Sequence, residues 1–340
     1  MFGRAGAASR RSAAHPPPRV KCKGRIVFLA ADVVLLLTGL WCFTALVFCS
    51  GWIMALLFAA IACCGRYCCK ASFRNLCFQL VIQLPVMVWF WHLAPAGDTV
   101  YQAPWAKTAE VTVLHPFVVV NNVRDFHYRT ETDYDVRYVQ ELYDLRQMES
   151  LHLAVSHWDG LEKIAHTMLS FSFRDGKRIV LSVETRVPEG KRQGAWSGLF
   201  KQFGLGMVWG TERDLLQLRT RFRRETLYFY PTTATPEEAA ELFLALMEKT
   251  KRFTEKPVFY NTLFRNCTTV LAEPVLPVLL NGKLDIRLFL NGFFDELVRD
   301  AGFLQWTGED FFSVKNHCRI PEFLPGGDEE YSDHIHKIAR

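Results

Sequence analysis

The first ninety-six residues are almost free of acid. Asp32 is the only Asp or Glu among them, against ten Lys and Arg. A water-facing globular surface needs both signs of charge, so this segment is not an ordinary soluble domain. Residues 97–340 hold 30 basic and 34 acidic side chains, so the basic excess of the whole chain, +5, belongs to the N-terminal part alone. That excludes a nucleic-acid-binding domain and points to a membrane face. Cysteine is equally uneven. Of ten cysteines only Cys267 and Cys318 follow Cys77, which excludes a disulfide-dense scaffold. No internal repeat is visible, and no small-residue cleavage site follows the basic leader promptly, which argues against a cleaved signal peptide.

Long apolar runs are present instead. IVFLAADVVLLLTGLWCFTALVFC (26–49) and LCFQLVIQLPVMVWFWHLA (76–94) are long enough to cross a bilayer core, which needs about 20 apolar residues. WIMALLFAAIACC (52–64) is short. The leader, 1–25, carries seven Lys or Arg and should stay in the cytoplasm; Arg66, Lys70 and Arg74 form a second basic cluster. If 52–64 returns across the membrane, both clusters lie inside and the third span exports residues 97–340. If it does not cross, the domain stays in the cytoplasm. The positive-inside rule favours three spans within 26–96 and an exported domain. The eight cysteines in or beside the spans read as small apolar or acylated residues at a reducing face, in preference to a metal site at Cys63-Cys64 and Cys68-Cys69.

The exported part mixes strands and helices, an α+β pattern. YVQELYDLRQM (138–148) reads as helix. HTMLSFSF (166–173) and KRIVLSVETR (177–186) alternate with period two around Arg174-Asp175-Gly176. A three-residue loop with Gly176 left-handed pairs Phe171 with Ile179, Leu169 with Leu181 and Thr167 with Val183. One face is then uniformly apolar, and His166 falls opposite Glu184. VPEGKRQGAWSGLFKQFGLGMVWG (187–210) reads as a long functional loop, its aromatics either core or membrane-facing. Strands are expected at 215–220 and 225–231. Thr235-Pro236-Glu237-Glu238 marks a helix start, with the helix running to about Phe253.

FYNTLFRNCTTVLAEPVL (259–276) carries the chemistry. Asn266 is a good N-cap, which makes Cys267 the first residue of a short helix before Pro274. Unpaired N–H groups there favour a thiolate and offer an oxyanion hole. Such a thiol needs a base. His166 is the first candidate, with Glu184 to orient it; His157, His152 and His317 are rivals. Two other readings stay open: a Cys267–Cys318 disulfide, and zinc held by His166, Glu184 and Cys267, although no close ligand pair supports it.

Several blocks together resemble the Lnb N-terminal periplasmic domain family: NNVRDFHYRT (121–130), IAHTMLSFSF (164–173), LSVETR (181–186), the loop with Gly198-Leu199-Phe200, TERDLLQLRT (211–220), ETLYFYP (225–231) and YNTLFRNCTT (260–269). The resemblance runs from about residue 98 to at least 280. The family is named after a bacterial lipoprotein N-acyltransferase. The resemblance implies a Cys/His thiol enzyme in a permuted papain-like arrangement, similar to lecithin:retinol acyltransferases, with an antiparallel sheet and flanking helices. It matches Cys267 to the nucleophile and His166 to the base. Glu184 as orienter is an inference beside it. Asn266, Thr268, Tyr260 and Asn261, from the same block, are the substrate-binding or oxyanion candidates. The three-span anchor is not part of the family pattern.

The expectation is a multi-pass protein of the bacterial cytoplasmic membrane with its domain outside. It moves an acyl chain from a lipid or lipoprotein ester to an amine through a Cys267 thioester, without cofactor, metal or nucleic acid. The alternatives are a papain-like peptidase or amidase, and a non-catalytic envelope module with a Cys267–Cys318 bridge.

Overall fold

The computed structural model describes residues 21–69, 73–158, 163–305, 310–324 and 330–339. They fall into two compact units divided between His92 and Leu93.

The first unit is three helices, α1 (Lys21–Ser50), α2 (Trp52–Cys69) and α3 (Phe73–His92), each long and apolar enough to cross a membrane. The second apolar run is short only as a run. Its helix continues through Gly65 and Arg66 to Cys69, for 18 residues. A polar seam joins the three. Thr38 donates to Gln83 Oε1 at 2.6 Å, and Gln83 Nε2 donates to the Leu35 carbonyl at 3.1 Å. Gln79 donates to the Ala62 carbonyl at 2.9 Å, and Asn75 to Asp32 at 3.3 Å. Asp32 also lies 3.6 Å from Arg66. In hydrocarbon such side chains must find partners on neighbouring helices.

The second unit is built on one sheet. Its strands are β1 (Glu110–Leu114), β2 (Phe117–Arg124), β5 (Tyr138–Asp144), β6 (Met148–His157), β7 (Ala165–Phe173), β8 (Arg178–Arg186), β9 (Gly204–Gly210), β10 (Thr226–Pro231) and β11 (Arg319–Ile320); β3 (His127–Tyr128) and β4 (Tyr134–Asp135) pair separately. Among the described residues the order across the sheet is β1-β2-β9-β8-β7-β6-β10-β11, with β5 also on β2. Nearly all pairings are antiparallel, so the α+β reading holds.

The β7–β8 hairpin has the expected register. Leu169 pairs with Leu181 and Phe171 with Ile179, and Gly176 takes φ 86° in the loop. Alternation then sorts the side chains. Ala165, Leu169, Phe171, Ile179, Leu181 and Val183 join one core, under α6 (Pro236–Glu255) and α7 (Cys267–Ala272). Met168 and Val180 join a second core on the opposite face, with Leu215, Leu216, Tyr331 and Ile335. The capping box at Thr235 and Glu238 starts α6 as expected.

Three expected elements differ. Residues 138–148 are not a helix but β5 and a 3-10 turn; Tyr143 is buried and pairs with Val118, and the β2 edge recruits an ambiguous pattern. Residues 215–220 are not a strand. Thr211 caps a short helix, α5 (Glu212–Leu215), and a π turn at Leu218–Phe222 follows, packing Leu215, Leu216 and Leu218 inward. The loop 187–210 contains a short helix, α4 (Ala195–Leu199), and the central strand β9. Glycine disguised that strand. A Cβ on Gly206 would sit 2.8 Å from Arg186 Cγ, and one on Gly210 would sit 2.9 Å from the Arg124 carbonyl oxygen, so neighbours cross where side chains would stand.

Candidate functional site

Cys267 lies on the face covered by α7. The chain reaches it through a turn in which Asn261 Oδ1 accepts from the N–H groups of Leu263 and Phe264, each at 3.0 Å. Asn266 then caps α7. Its Oδ1 accepts from the Thr269 N–H at 2.9 Å, and Thr269 Oγ1 accepts from the Asn266 N–H at 2.9 Å. The remaining amide group of Asn266 donates to the Thr262 carbonyl at 2.9 Å. Cys267 is therefore the first residue of α7, as the sequence implied. One residue on, Thr268 Oγ1 lies 3.0 Å from Thr167 Oγ1 and fastens the helix to β7.

The thiol is 4% exposed. Asn291 Nδ2 donates to its sulfur at 3.5 Å, while Asn291 Oδ1 accepts from the Ala165 N–H at 3.0 Å. One buried amide thus holds the thiol and the start of β7 together. The Ala165 carbonyl lies 4.0 Å from Sγ. Burial, and then the neighbouring Cys267, push the Tyr260 phenol above its ordinary range. Of the four binding or oxyanion candidates, Asn266, Thr268 and Asn261 are thus engaged in capping, fastening and turning the chain; Tyr260 borders the sulfur.

His166 is on the other face. Its Nε2 is 2.7 Å from Ser182 Oγ, and Ser182 donates to Glu184 Oε1 at 2.9 Å. Since the serine proton goes to the carboxylate, the ring supplies Nε2–H to the serine. The expected direct His166–Glu184 contact is replaced by this relay. Glu184 also accepts from Trp105 Nε1 at 2.6 Å and lies 3.5 Å from Arg219 and 3.9 Å from Arg124. Arg219 reaches Glu225 at 3.2 Å, and Arg124 grips Asp214 at 2.8 Å. Asp214 further accepts from the Phe126 N–H at 2.8 Å. A small cleft beside the network is lined by Trp105, Arg124, Tyr128, Tyr134, Glu184 and Arg223. Burial raises the cost of charging each group. Against it, Arg124 and Arg219 hold the Glu184 carboxyl down at about 2. Burial, helped by Arg219, drives His166 well below the usual histidine range and keeps the ring neutral.

The expected pairing of His166 with Cys267 is therefore not formed. Adjacent strand residues point to opposite faces: Ala165 and Thr167 meet the Cys267 side, and His166 between them meets Ser182. The same separation removes a zinc site made of His166, Glu184 and Cys267. Nor are Cys267 and Cys318 bridged; both are free thiols, and burial pushes Cys318 up to about 12. A histidine that shares the Cys267 face is His157. It pairs directly with Ala165 across β6 and β7, and its ring meets Tyr228 edge-on at 5.6 Å. His152 faces the other way, stacked on Phe229.

Asn291 went unnoticed in the sequence, because a lone Asn in LNGFF carries no spacing signal. Of the charge network the sequence singles out only His166 and Glu184. Arg124, His166, Ser182, Glu184, Asp214, Arg219 and Glu225 come from five of the seven blocks quoted for the resemblance, and they assemble into one structure.

A thiol at a capped helix start on one face of an α+β sheet, with a buried charge relay on the other, defines a domain carried behind three apolar helices. Residues 134–291 match the family model described as the Lnb N-terminal periplasmic domain, the family those blocks resemble. No curated protein and no solved structure matches the chain. It is a membrane-anchored protein with a periplasmic-type domain.

Proposed function

We propose that the domain is an envelope acyltransferase working through Cys267 at the outer surface of the bacterial cytoplasmic membrane, reached by three spans. The single observation that carries this reading is the setting of the thiol: first residue of α7, with the Asn291 amide donating to its sulfur at 3.5 Å. In this reading the sulfur loses its proton to a base and attacks the carbonyl carbon of a lipid ester. The alcohol leaves with that proton and a thioester remains. An amine then attacks, an amide forms, and the thiol is restored. The base is His157, which shares the face of Cys267, rather than His166 behind the sheet. Water in place of the amine would make the same site a hydrolase.

The isolation of His166 favours a second reading, a non-catalytic envelope module organised around the buried charge network. One experiment separates them. The full chain, reconstituted with envelope lipids, is digested and the peptide holding Cys267 weighed. An acyl mass released by hydroxylamine supports the enzyme. A bare thiol in wild type, with no acyl-amide formed above the level of a protein-free control, supports the module.

A further inference from the structure

Around Cys267 the surface is unusually apolar. Leu263 and Phe264 are 42% and 73% exposed, Leu284 and Ile286 are 85% and 68%, and Leu290 and Trp196 are 39% and 74%. They come from three separate stretches that the fold draws together. Thr262 Oγ1 donates to the Ala195 carbonyl at 2.8 Å, which seats α4 and its Trp196 beside the 261–266 turn. The rings of Phe264 and Phe289 meet edge-on at 6.3 Å, and Asn291 reaches Cys267. Soluble surfaces rarely gather such residues without a partner.

The edge of the patch is basic. Arg192, Arg265 and Lys283 are exposed. Two acids nearby are neutralised: Asp285 lies in the fork of Arg287 at 2.8 Å, and Glu273 is paired with Lys249. An apolar centre with a tryptophan and a cationic rim is the chemistry that recognises the interface of an anionic bilayer. The chain brings that surface with it. A helix able to cross the membrane ends at His92, where the domain begins at Leu93, so lipid is held at high effective concentration.

We infer that the patch formed by Trp196, Leu263, Phe264, Leu284, Ile286 and Leu290 docks onto the anionic lipid surface, with Cys267 at its border. This deepens the proposed function, on which it rests only for its consequence: the acyl ester reaches the thiol from the plane of the membrane.

The test is photocrosslinking in the full chain. A benzophenone amino acid is placed singly at position 264 or 284, and as controls at the exposed positions 136 and 142. Each protein is reconstituted in phosphatidylglycerol-containing vesicles and irradiated, and lipid adducts are measured by mass. Adducts at 264 and 284 should exceed those at 136 and 142 by roughly ten-fold, and fall several-fold when phosphatidylcholine replaces the anionic lipid. Equal yields at all four positions overturn the proposal, as does crosslinking of 264 and 284 to protein alone. Position 284, being 85% exposed, tolerates the probe without disturbing the fold. Repeating the measurement in Cys267→Ala keeps the result independent of catalysis: persistent adducts with no acyl transfer in wild type would sink the enzyme reading and leave the docking surface standing.

Discussion

The two faces of the central sheet hold different kinds of polar chemistry. On one, Cys267 sits among apolar side chains with one amide donor, and the buried ions of that face, Asp295 with Lys315 and Lys249 with Glu273, form separate pairs. On the other, Glu184, Arg124, Arg219, Asp214 and Glu225 form a chain of buried ions that reaches His166 through Ser182. A lightly held thiol is free to change covalent state, because few contacts depend on it. A buried ionic chain is not, because each member satisfies another, and deleting one strands its partners. Under the proposed function, reactivity belongs to the first face and rigidity to the second.

The sharpest way to break it is to truncate the thiol. Cys267→Ala should lower acyl transfer by about a thousand-fold or more while costing about 1 kcal/mol of stability, read by thermal unfolding of the detergent-purified full chain. His157→Gln should lower the acyl-transfer rate by about 10²-fold or more with the melting temperature little changed. Should His166→Gln cause the larger loss at unchanged melting temperature, the face assignment is wrong. Glu184→Ala should instead destabilise by about 3–5 kcal/mol, since Arg124 and Arg219 lose a shared anion in a buried setting; a melting temperature equal to wild type would show the network to be ornamental.

Acid should loosen the second face first. Burial, and then His336, lower His152 to about 3, and His166 also lies well below the ordinary value. Below pH ~6.5 the unfolded chain binds protons that these folded rings refuse, so stability falls with pH at up to about 1.4 kcal/mol per pH unit for each ring. Glu184, held at about 2, adds its own loss once pH falls through its ordinary value near 4.5. His152→Gln should flatten the limb between pH 6 and 4.5, in melting temperature against pH, over roughly that window. The smallest effect is expected from Asn291→Ala. Removing the amide leaves the Ala165 N–H without its acceptor, a cost of about 1–3 kcal/mol, and takes away the donor that favours a thiolate, so alkylation of Cys267 but not of Cys318 should slow. Unchanged alkylation would mean the amide does not tune the sulfur.

Local signals were the legible ones. Asn266 and Thr235 announced their helices because a cap is decided within four residues. The hairpin register followed from its loop and its apolar face. Even the separation of His166 from Cys267 was implicit there, for that register already put Thr167, Leu169 and Phe171 on one face and His166 on the other. What the sequence withheld was which face α7 covers, a tertiary choice made by Thr268 on Thr167 and by Asn291 far along the chain. The strand β9 stayed hidden because its glycines signal loops while their actual role is close approach. The helix read over 138–148 failed because its pattern suits either period, and the partner strand decides.

The polar seam of the first unit bears on how the chain is made. α3 carries Asn75, Gln79 and Gln83 buried toward its neighbours, and their partners lie on α1 and α2. Synthesised last of the three, α3 is a poor guest of lipid until the earlier pair is waiting. Biogenesis then becomes an ordered assembly, in which α3 closes the anchor only after α1 and α2 are in place.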